Sequence, residues 1–389
     1  MIVAYNRIII HYDEITLKGK NKNFFISKLI ENLKVGINQN IGIARGGSKL
    51  ILKFTNNLTQ EEYLEMVEVL KLMPGIANFA PAISCKPEFK DIVASAIQIV
   101  KNQKTLSTFK IETRRSYKQF PMDSMEVSRD VGGEVLEAFD GKIKVDIKNP
   151  ALVIKVEIDK DVVFVLDNKI QGVSGLPVGC TGKVVCLLSG GIDSPVSAFQ
   201  MMKRGAKVVF VHFHNKTINK SGVEVKIKKL VKQLEKVQGK SKLYIVPFAE
   251  FQKEVIANIP ADMRMIVYRR IMYKLASQIA DKEKAGALVT GDSLAQVASQ
   301  TLENMQVIYE ATDKLKLAPL IGMNKTEITE ISKKIGTYEI SIEPYEDCCS
   351  FMIAKHPQTK SKLDKVLEAE QNINFEEIVG KLDFDNMVE

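Results

Sequence analysis

Between Leu187 and Ser197 the chain reads LLSGGIDSPVS, and its centre, Ser189, Gly190, Gly191, Ile192, Asp193 and Ser194, combines two residues without a Cβ, two hydroxyls and a carboxylate. Glycines let a backbone turn tightly and aim N–H groups at one point, and a helix starting there adds a dipole that favours negative charge. The apolar run VVCLL precedes this hexapeptide, and PVSAFQMMKRG follows it with helical spacing and Pro195 suited to a first turn. Strand, glycine turn and helix in that order predict an oxyanion site, with Ser189 and Ser194 as further hydroxyl donors. A lone Gly-Gly pair is usually only a tight turn; the whole hexapeptide at a strand-to-helix junction favours a ligand.

Other reactive side chains are sparse. The five cysteines, Cys85, Cys180, Cys186, Cys348 and Cys349, are too few and scattered for a disulfide framework and include no CxxC pair for zinc, so reduced thiols are expected. Adjacent Cys348 and Cys349 read either as small buried hydrophobes or as two thiols available to sulfur chemistry. His212 and His214, in KVVFVHFH, are expected to face opposite sides of a strand, either as one packed and one solvated histidine or with a direct part in the chemistry, and no metal is assigned to them. A formal net charge of +8 makes an anionic partner plausible. Lys18, Lys20 and Lys22 in HYDEITLKGKNKNFF, with Arg114, Arg115 and Lys118 in TRRSYKQF beside Tyr117 and Phe120, are the residues to contact RNA phosphates. Each lysine alone is ordinary solvated charge; the set reads as a face that positions a folded RNA without reading its sequence.

These residues need elements to hold them, and 389 residues exceed what one core supports, so two or three domains are expected. RIIIHY, NKNFFISKLIENLKVGI and KLILKFT read as strand, helix and strand; TQEEYLEMVEVLKLM reads as a helix with Thr59 and Glu62 forming a capping box. This is a small α+β domain, one sheet with helices on a single face. A second block follows, with helices at DIVASAIQIVKNQ and SMEVSRDVGGEVLEAF, strands at TFKIETRR and KVDIKN, and a hairpin in ALVIKVEIDKDVVFVLD around residues 159–161. The boundaries drawn are 1–59, 60–168, a Gly-rich linker at 169–182, and 183–389. In the last segment apolar strands alternate with helices, which predicts an α/β doubly wound parallel sheet with its ligand at the strands' carboxyl ends. No apolar run approaches the roughly 20 residues that span a bilayer, and MIVAYNRIIIHY has no signal-peptide form, so a cytoplasmic location is expected.

SGGIDS lacks the Gly-Lys-Ser/Thr of a Walker A loop and resembles instead the PP-loop of ATP pyrophosphatases, which split ATP between its α and β phosphates. With GLPVGCTGKVVCLLSGGIDSPVSAFQMMKRG, VTGDSLAQVASQTLENM, PLIGMNKTEI and IGTYEISIEPYEDCC in order, the chain resembles the tRNA 4-thiouridine synthetases of the ThiI family. FKIETRRSYKQFPMDSMEVSRDVG with VDIKNPALVIKVEI resembles a THUMP RNA-binding domain, and the segment before it that family's ferredoxin-like domain. The resemblance implies ferredoxin-like and THUMP domains of α+β class followed by a PP-loop ATP pyrophosphatase domain.

It also implies a reaction: ATP adenylates O4 of uridine 8 in tRNA, and sulfur from a protein persulfide displaces AMP. Carried over by motif position, Leu187, Leu188, His212, Phe213, Arg269, Gly291 and Gln300 would join Ser189, Gly190, Gly191 and Ser194 of the loop in binding the nucleotide, with Arg270 a further candidate because a guanidinium fork suits phosphate. The two arginines would meet phosphate charge, and Asp193 would help place Mg2+ and pyrophosphate. Lys325, after the possible N-cap Asn324, could reach the site from a helix start. The sulfur-transfer cysteine falls in the CC segment; spacing to the KHP that follows favours Cys349, with Cys348 its resolving partner or substitute. The chain ends too soon for the rhodanese domain of longer relatives, so sulfur is expected from a cysteine desulfurase or a separate persulfide carrier, and a role in thiamine thiazole synthesis is not expected. A homodimer is implied by the resemblance alone. The rivals are another tRNA-adenylating PP-loop enzyme, of 2-thiouridine or lysidine synthetase type, and a THUMP RNA-binding module whose ATP site is vestigial.

Overall fold

Continuous apolar runs such as VVCLL and KVVFVHFH have no polar face to give to water, so they must be covered on both sides. In the computed structural model, which describes residues 5–37, 41–54, 58–103, 105–215, 222–344 and 354–389, they form the centre of a parallel sheet. The chain divides into two units, Met1–Gly175 and Leu176–Glu389.

The first unit runs β1 (Arg7–His11), α1 (Lys22–Gly36), β2 (Ile41–Gly46), β3 (Lys49–Phe54), α2 (Gln60–Leu72), β4 (Asn78–Cys85), α3 (Phe89–Lys101), β5 (Thr108–Arg115), α4 (Ser124–Ala138), β6 (Lys144–Val145), β7 (Leu152–Ile158), β8 (Val163–Leu166) and β9 (Ile170–Gln171). Strand alternation divides the residues of β1: Ile8 and Ile10 join Leu29 and Leu33 of α1 and Met66, Val67 and Leu70 of α2, while Ile9 joins Ala80, Ala82 and Phe164 on the other face. Helices α3 and α4 cover the second half of the sheet, with Ile99, Val127 and Val131 against Phe109 and Ile154. The expected capping box is present, Thr59 Oγ1 accepting from Glu62 N at 3.2 Å and Glu62 Oε2 from Thr59 N at 2.8 Å.

Three expectations change here. Helix α2 packs into the core of β1 and α1, so the boundary drawn at 59/60 cuts through a packed unit. The separate sheet expected for the first block is one end of a nine-stranded sheet, ordered β2-β3-β1-β4-β8-β7-β5-β6 with β9 also on β4. The join is β4, antiparallel to both β1 and β8, which the sequence concealed behind Pro81. Pro81 lacks an N–H, yet it sits where a carbonyl is needed and accepts from Asp167 N at 2.9 Å. The strand expected at KVDIKN shrinks to the two residues of β6 because the Asp146 carboxylate closes a turn by accepting from Lys148 N and Asn149 N, both at 2.9 Å.

The second unit contains β10 (Lys183–Leu187), α5 (Asp193–Lys203), β11 (Lys207–His214), α6 (Gly222–Gln238), β12 (Leu243–Pro247), α7 (Ala249–Asn258), α8 (Arg264–Glu283), β13 (Ala287–Val289), α9 (Leu302–Tyr309), β14 (Leu315–Leu317), α10 (Lys325–Lys334), α11 (Tyr338–Ser341), α12 (Leu363–Glu370) and α13 (Phe375–Val379). The strands are parallel in the order β12-β11-β10-β13-β14. Val185, Val209 and Val211 pack with Tyr268, Ile271 and Leu275 of α8. The alternate residue Cys186 turns to the opposite side, its Sγ 3.8 Å from the Ser194 carbonyl of α5. The outer edge, β12, is covered by the chain's last residues: Leu243 N donates to Glu389 O at 3.2 Å and Ile245 N to Met387 O at 3.1 Å. Counted along the chain, the strand order reverses between β10 and β13, and such a reversal opens a crevice at the carboxyl ends.

Candidate functional site

The turn after β10 and the turn after β13 meet in that crevice. A Cβ on Gly291 would lie 2.9 Å from Ser194 N and 3.0 Å from the Asp193 carbonyl carbon, so only glycine lets the β13 turn press against the start of α5. Ser197 Oγ bonds the Thr290 carbonyl and holds the two turns together. Within the first turn the serines bind each other rather than pointing outward. Ser189 N donates to Ser194 Oγ at 2.8 Å, the two Oγ atoms lie 3.0 Å apart, and Gly191 N donates to Ser189 Oγ at 3.3 Å. Ser189 and Ser194 thus shape the loop in this structure, where free hydroxyl donors were expected.

Asp193, first residue of α5, receives two side chains from distant segments. Lys325 Nζ donates to its Oδ1 at 2.5 Å and Gln296 Nε2 to its Oδ2 at 2.9 Å. Lys325 reaches it from the first turn of α10, where the Asn324–Glu327 capping box fixes the helix start. A carboxylate, a lysine cation and a helix N-terminus therefore share one half-exposed spot.

Behind it lies a buried network that sequence reasoning missed. Arg269 Nη2 meets both carboxylate oxygens of Asp292 at 2.8 Å. Thr290 Oγ1, Tyr309 OH and Gln300 Nε2 donate to the same carboxylate at 2.9, 3.0 and 3.1 Å. Burial would raise the Asp292 carboxyl, but the Arg269 charge and these hydrogen bonds outweigh it and hold it below the usual carboxylate range. Burial, then the neighbouring Asp292, push the Tyr309 phenol up to about 12. Arg269, Gly291 and Gln300 are thus brought together, with Arg269 paired to a carboxylate. The available signal was the position of Asp292, one residue beyond the strand-end glycine.

Arg270 is not part of this site. Adjacent helix residues point about 100° apart, and Arg270 turns to Glu370 at 2.7 Å, Glu310 at 2.9 Å and the Val307 carbonyl, a buried fastener of α8, α9 and α12 rather than a phosphate ligand. The histidine expectation also fails: both His212 and His214 are buried, with rings 6.1 Å apart, because residues two apart on a strand share a face. His212 Nδ1 donates to Leu188 O at 2.9 Å. Burial, only partly opposed by that bond, lowers its pKa to about 4, so it is neutral at pH 7. Leu188 N bonds Val211 O at 2.8 Å, which ties the end of β10 to β11; Leu187 is half-buried beside it. The Phe213 ring is buried against Phe248, with centroids 5.4 Å apart. His212 Nε2 and Gln300 Oε1 are buried acceptors with no partner among the described residues. A cavity of about 400 Å3 lies elsewhere, between the ends of β11 and β12 and the chain terminus, lined by His214, Glu224, Lys381 and Asp383 among others and by no residue of the loop.

The basic residues form two groups. Strands β1 and β5 are separated by β4, β8 and β7 and run in opposite directions, so Lys18, Lys20 and Lys22 after β1 and Arg114, Arg115 and Lys118 at and just beyond the end of β5 lie at opposite ends of the strands. Lys18 and Lys22 sit over the rings of Phe25 and Tyr12, at 5.2 and 5.6 Å from the centroids, while Lys20, Arg114 and Lys118 are exposed. Arg115 is internal: its Nη1 donates to the carbonyls of Phe120 and Met122 at 2.9 and 2.7 Å, and Phe120 is itself buried, so neither forms an open phosphate contact. Cys348 and Cys349 lie outside the described residues. Of the other thiols, burial raises Cys85 and pushes Cys186 up to about 12.

Fold and turns define a PP-loop type of α/β domain preceded by an α+β unit. The sequence pattern of the family described as Thiamine biosynthesis protein (ThiI) matches residues 179–375, that of the THUMP domain 86–166, and that of the ThiI ferredoxin-like domain 7–80. The chain belongs to the ThiI family. It is 40% identical over 378 residues to a probable tRNA sulfurtransferase of Halothermothrix orenii, covering 96% of this chain and 95% of that one. A probable tRNA sulfurtransferase of Bacillus subtilis is 38% identical over 373 residues, covering 96% and 92%. The crystal structure of a 4-thiouridine synthetase–RNA complex with bound ATP superposes with a TM-score of 0.89 at 33% identity, over 99% of both chains.

Proposed function

We infer that this chain is a tRNA sulfurtransferase that converts a tRNA uridine, the one at position 8, to 4-thiouridine with consumption of ATP. The single observation carrying this reading is the meeting of the Ser189–Ser194 turn, Gly291 and Lys325 around Asp193 at the sheet's reversal, in a chain similar throughout to tRNA sulfurtransferases.

In the first step the uridine O4 attacks the α phosphorus of ATP, the bond to the β-phosphate oxygen breaks, and pyrophosphate leaves. The turn's N–H groups and the α5 N-terminus stabilise the charge gathering on phosphate oxygens, and Lys325 adds a cation beside Asp193. Asp193 is the residue that would hold Mg2+, whose charge makes a carboxylate tolerable beside pyrophosphate. Buried His212 Nε2 and Gln300 Oε1 suit the N–H groups of an adenine, and neutral His212 keeps its acceptor at pH 7.

In the second step a persulfide sulfur attacks C4, the C4–O4 bond breaks and AMP leaves. A second thiol then breaks the S–S bond: the sulfane sulfur ends at the oxidation level of a thiocarbonyl and the two thiols become a disulfide, which a thiol reductant reopens. Cys349, with Cys348 as partner or substitute, is proposed for this chemistry on family resemblance and on its spacing to the KHP that follows. Sulfur enters from a cysteine desulfurase or a separate carrier, and a homodimer is proposed on family resemblance.

The test is mass analysis of tRNA after incubation with ATP, magnesium, cysteine and a cysteine desulfurase. Wild type is expected to add one sulfur to one uridine; Asp193→Ala and Cys349→Ala are expected to add none. Normal incorporation by Asp193→Ala would reject the mechanism, and normal incorporation by Cys349→Ala would move the sulfur to Cys348.

A further inference from the structure

The two segments that reach Asp193 with polar atoms also expose aliphatic side chains. Gln296 belongs to a tight double turn: its N–H bonds Ser293 O at 3.2 Å, Ala295 N bonds Gln300 O at 2.9 Å, and Gln300 N bonds Val297 O at 2.9 Å. Ala295 has φ +61°, a left-handed conformation that a residue with a Cβ adopts at a cost and that clusters at functional sites. This turn is pinned to the segment leading into Lys325, Leu294 N donating to Ile321 O at 3.1 Å and Ser293 Oγ to Met323 O at 2.9 Å. Leu294, Val297 and Ile321 are 44%, 53% and 40% exposed. An apolar rim therefore borders the carboxylate at which the reaction is placed.

We propose that Leu294, Val297 and Ile321 form the surface that receives the target nucleobase of the RNA. This rests on the function proposed above. RNA phosphates seek cations, whereas a base taken out of its stack exposes two apolar ring faces that need cover. Its carbonyl oxygen must arrive beside Asp193, and the rim is continuous with Asp193 through Gln296 and Lys325. The strained turn holds Gln296 on Asp193 while presenting Leu294 and Val297, so polar alignment and apolar contact come from one rigid piece of backbone.

The test uses the full chain with Leu294→Ser, Val297→Ser and the triple variant including Ile321→Ser, all exposed positions where polar substitution leaves the core intact. Four quantities are measured: tRNA binding, ATP binding, tRNA-dependent AMP and pyrophosphate release in a single turnover, and thiolation fed either by inorganic sulfide or by a cysteine desulfurase with cysteine. The expected result is unchanged tRNA and ATP binding, with AMP release and both thiolation assays falling together on the order of tenfold. Normal AMP release with a loss confined to the desulfurase-fed assay would assign the rim to the sulfur donor and overturn the proposal. Normal AMP release with altered sedimentation would assign it to a second copy of the chain, and normal behaviour in every assay would leave it no role. A wild-type chain that releases no AMP on adding tRNA would sink the proposed function itself, an outcome distinct from all of these.

Discussion

Replacing Asp292 with alanine removes the anion around which the site's supporting network is arranged. The carboxylate side chain is 4% exposed and that of Arg269 13%, so neither charge can turn to water when its partner is deleted. Stranding one member of such a pair costs about 3–5 kcal/mol. Asp292→Asn keeps the volume but turns one acceptor into a donor facing Arg269, and losing a hydrogen bond to a charged group costs about 1.5–3 kcal/mol. For a unit of this size each kcal/mol lowers the melting temperature by roughly 2–4 °C, so the alanine variant should melt about 6–20 °C below wild type and the asparagine variant about 3–12 °C below. Removing Arg269 as well leaves no orphan charge, so Arg269→Met with Asp292→Ala should lose less stability than the two single changes added together. The assay is reversible unfolding by near-ultraviolet circular dichroism on wild type, the two Asp292 variants, Arg269→Met and the double variant, with ATP binding measured well below each midpoint. The same network carries Gly291, the neighbour of Asp292, against Ser194 N, so ATP affinity should fall in the single variants even where they are fully folded. Additive losses of stability, or an alanine variant that melts with wild type, would refute the buried pair.

Gly291→Ala should weaken ATP binding and also lower the melting temperature by roughly 2–12 °C, because the new Cβ meets backbone at 2.9 and 3.0 Å and the start of α5 must shift, an overpacking that costs about 1–3 kcal/mol; ATP titration and thermal unfolding check this, and wild-type behaviour in both would show the turns free to separate. His212 has its pKa lowered from 6.5 to about 4 by burial and by His214, against opposing contributions from Leu188 O and Glu224. Its neutral form is the native one, so its contribution to stability is complete above pH 6.5 and is lost as pH falls toward 4. That loss is about 3 kcal/mol, read as a urea-midpoint slope that His212→Gln should flatten; equal slopes in both proteins would contradict it. Asn304, fully buried, donates to the carbonyls of Ala298 and Gln358 at 2.7 and 2.8 Å and accepts from Ser361 N at 2.9 Å, while Lys226 holds the carbonyls of Ser341 and Glu343 at 2.9 and 2.7 Å. These anchors flank the stretch of chain that carries Cys348 and Cys349, so Asn304→Ala and Lys226→Met should reduce thiolation more than tRNA-dependent AMP release; a parallel fall in both would count against a positioning role.

What the sequence made legible was whatever depends on neighbours along the chain. The SGGIDS turn, the capping boxes at Thr59 and Asn324 and the parallel alternation after Lys183 are local patterns, and local backbone geometry follows from them. β4 failed the same reading because Pro81 is a strand breaker only where its missing N–H would have been used, and which edge of a strand is used depends on partners far along the chain.

The arginines carry the point further. Arg114 and Arg115, like Arg269 and Arg270, are pairs of identical type in adjacent positions, and residue chemistry suggested one job for each pair. Adjacent residues cannot share a direction: a strand sends them to opposite faces and a helix sets them about 100° apart. The structure therefore splits each pair, leaving Arg114 exposed and Arg115 bound to carbonyls of its own unit, Arg269 on Asp292 at the site and Arg270 on Glu310 and Glu370 behind it. Periodicity alone could have forbidden the joint assignments, but choosing the functional member needed the far partner, 23 residues from Arg269 and 100 from Arg270. Asp292 was hidden for the same reason. A carboxylate after a strand-end glycine reads as a ligand to metal or phosphate until the arginine that neutralises it is in place, and then its work is to hold the site rather than to touch what binds there.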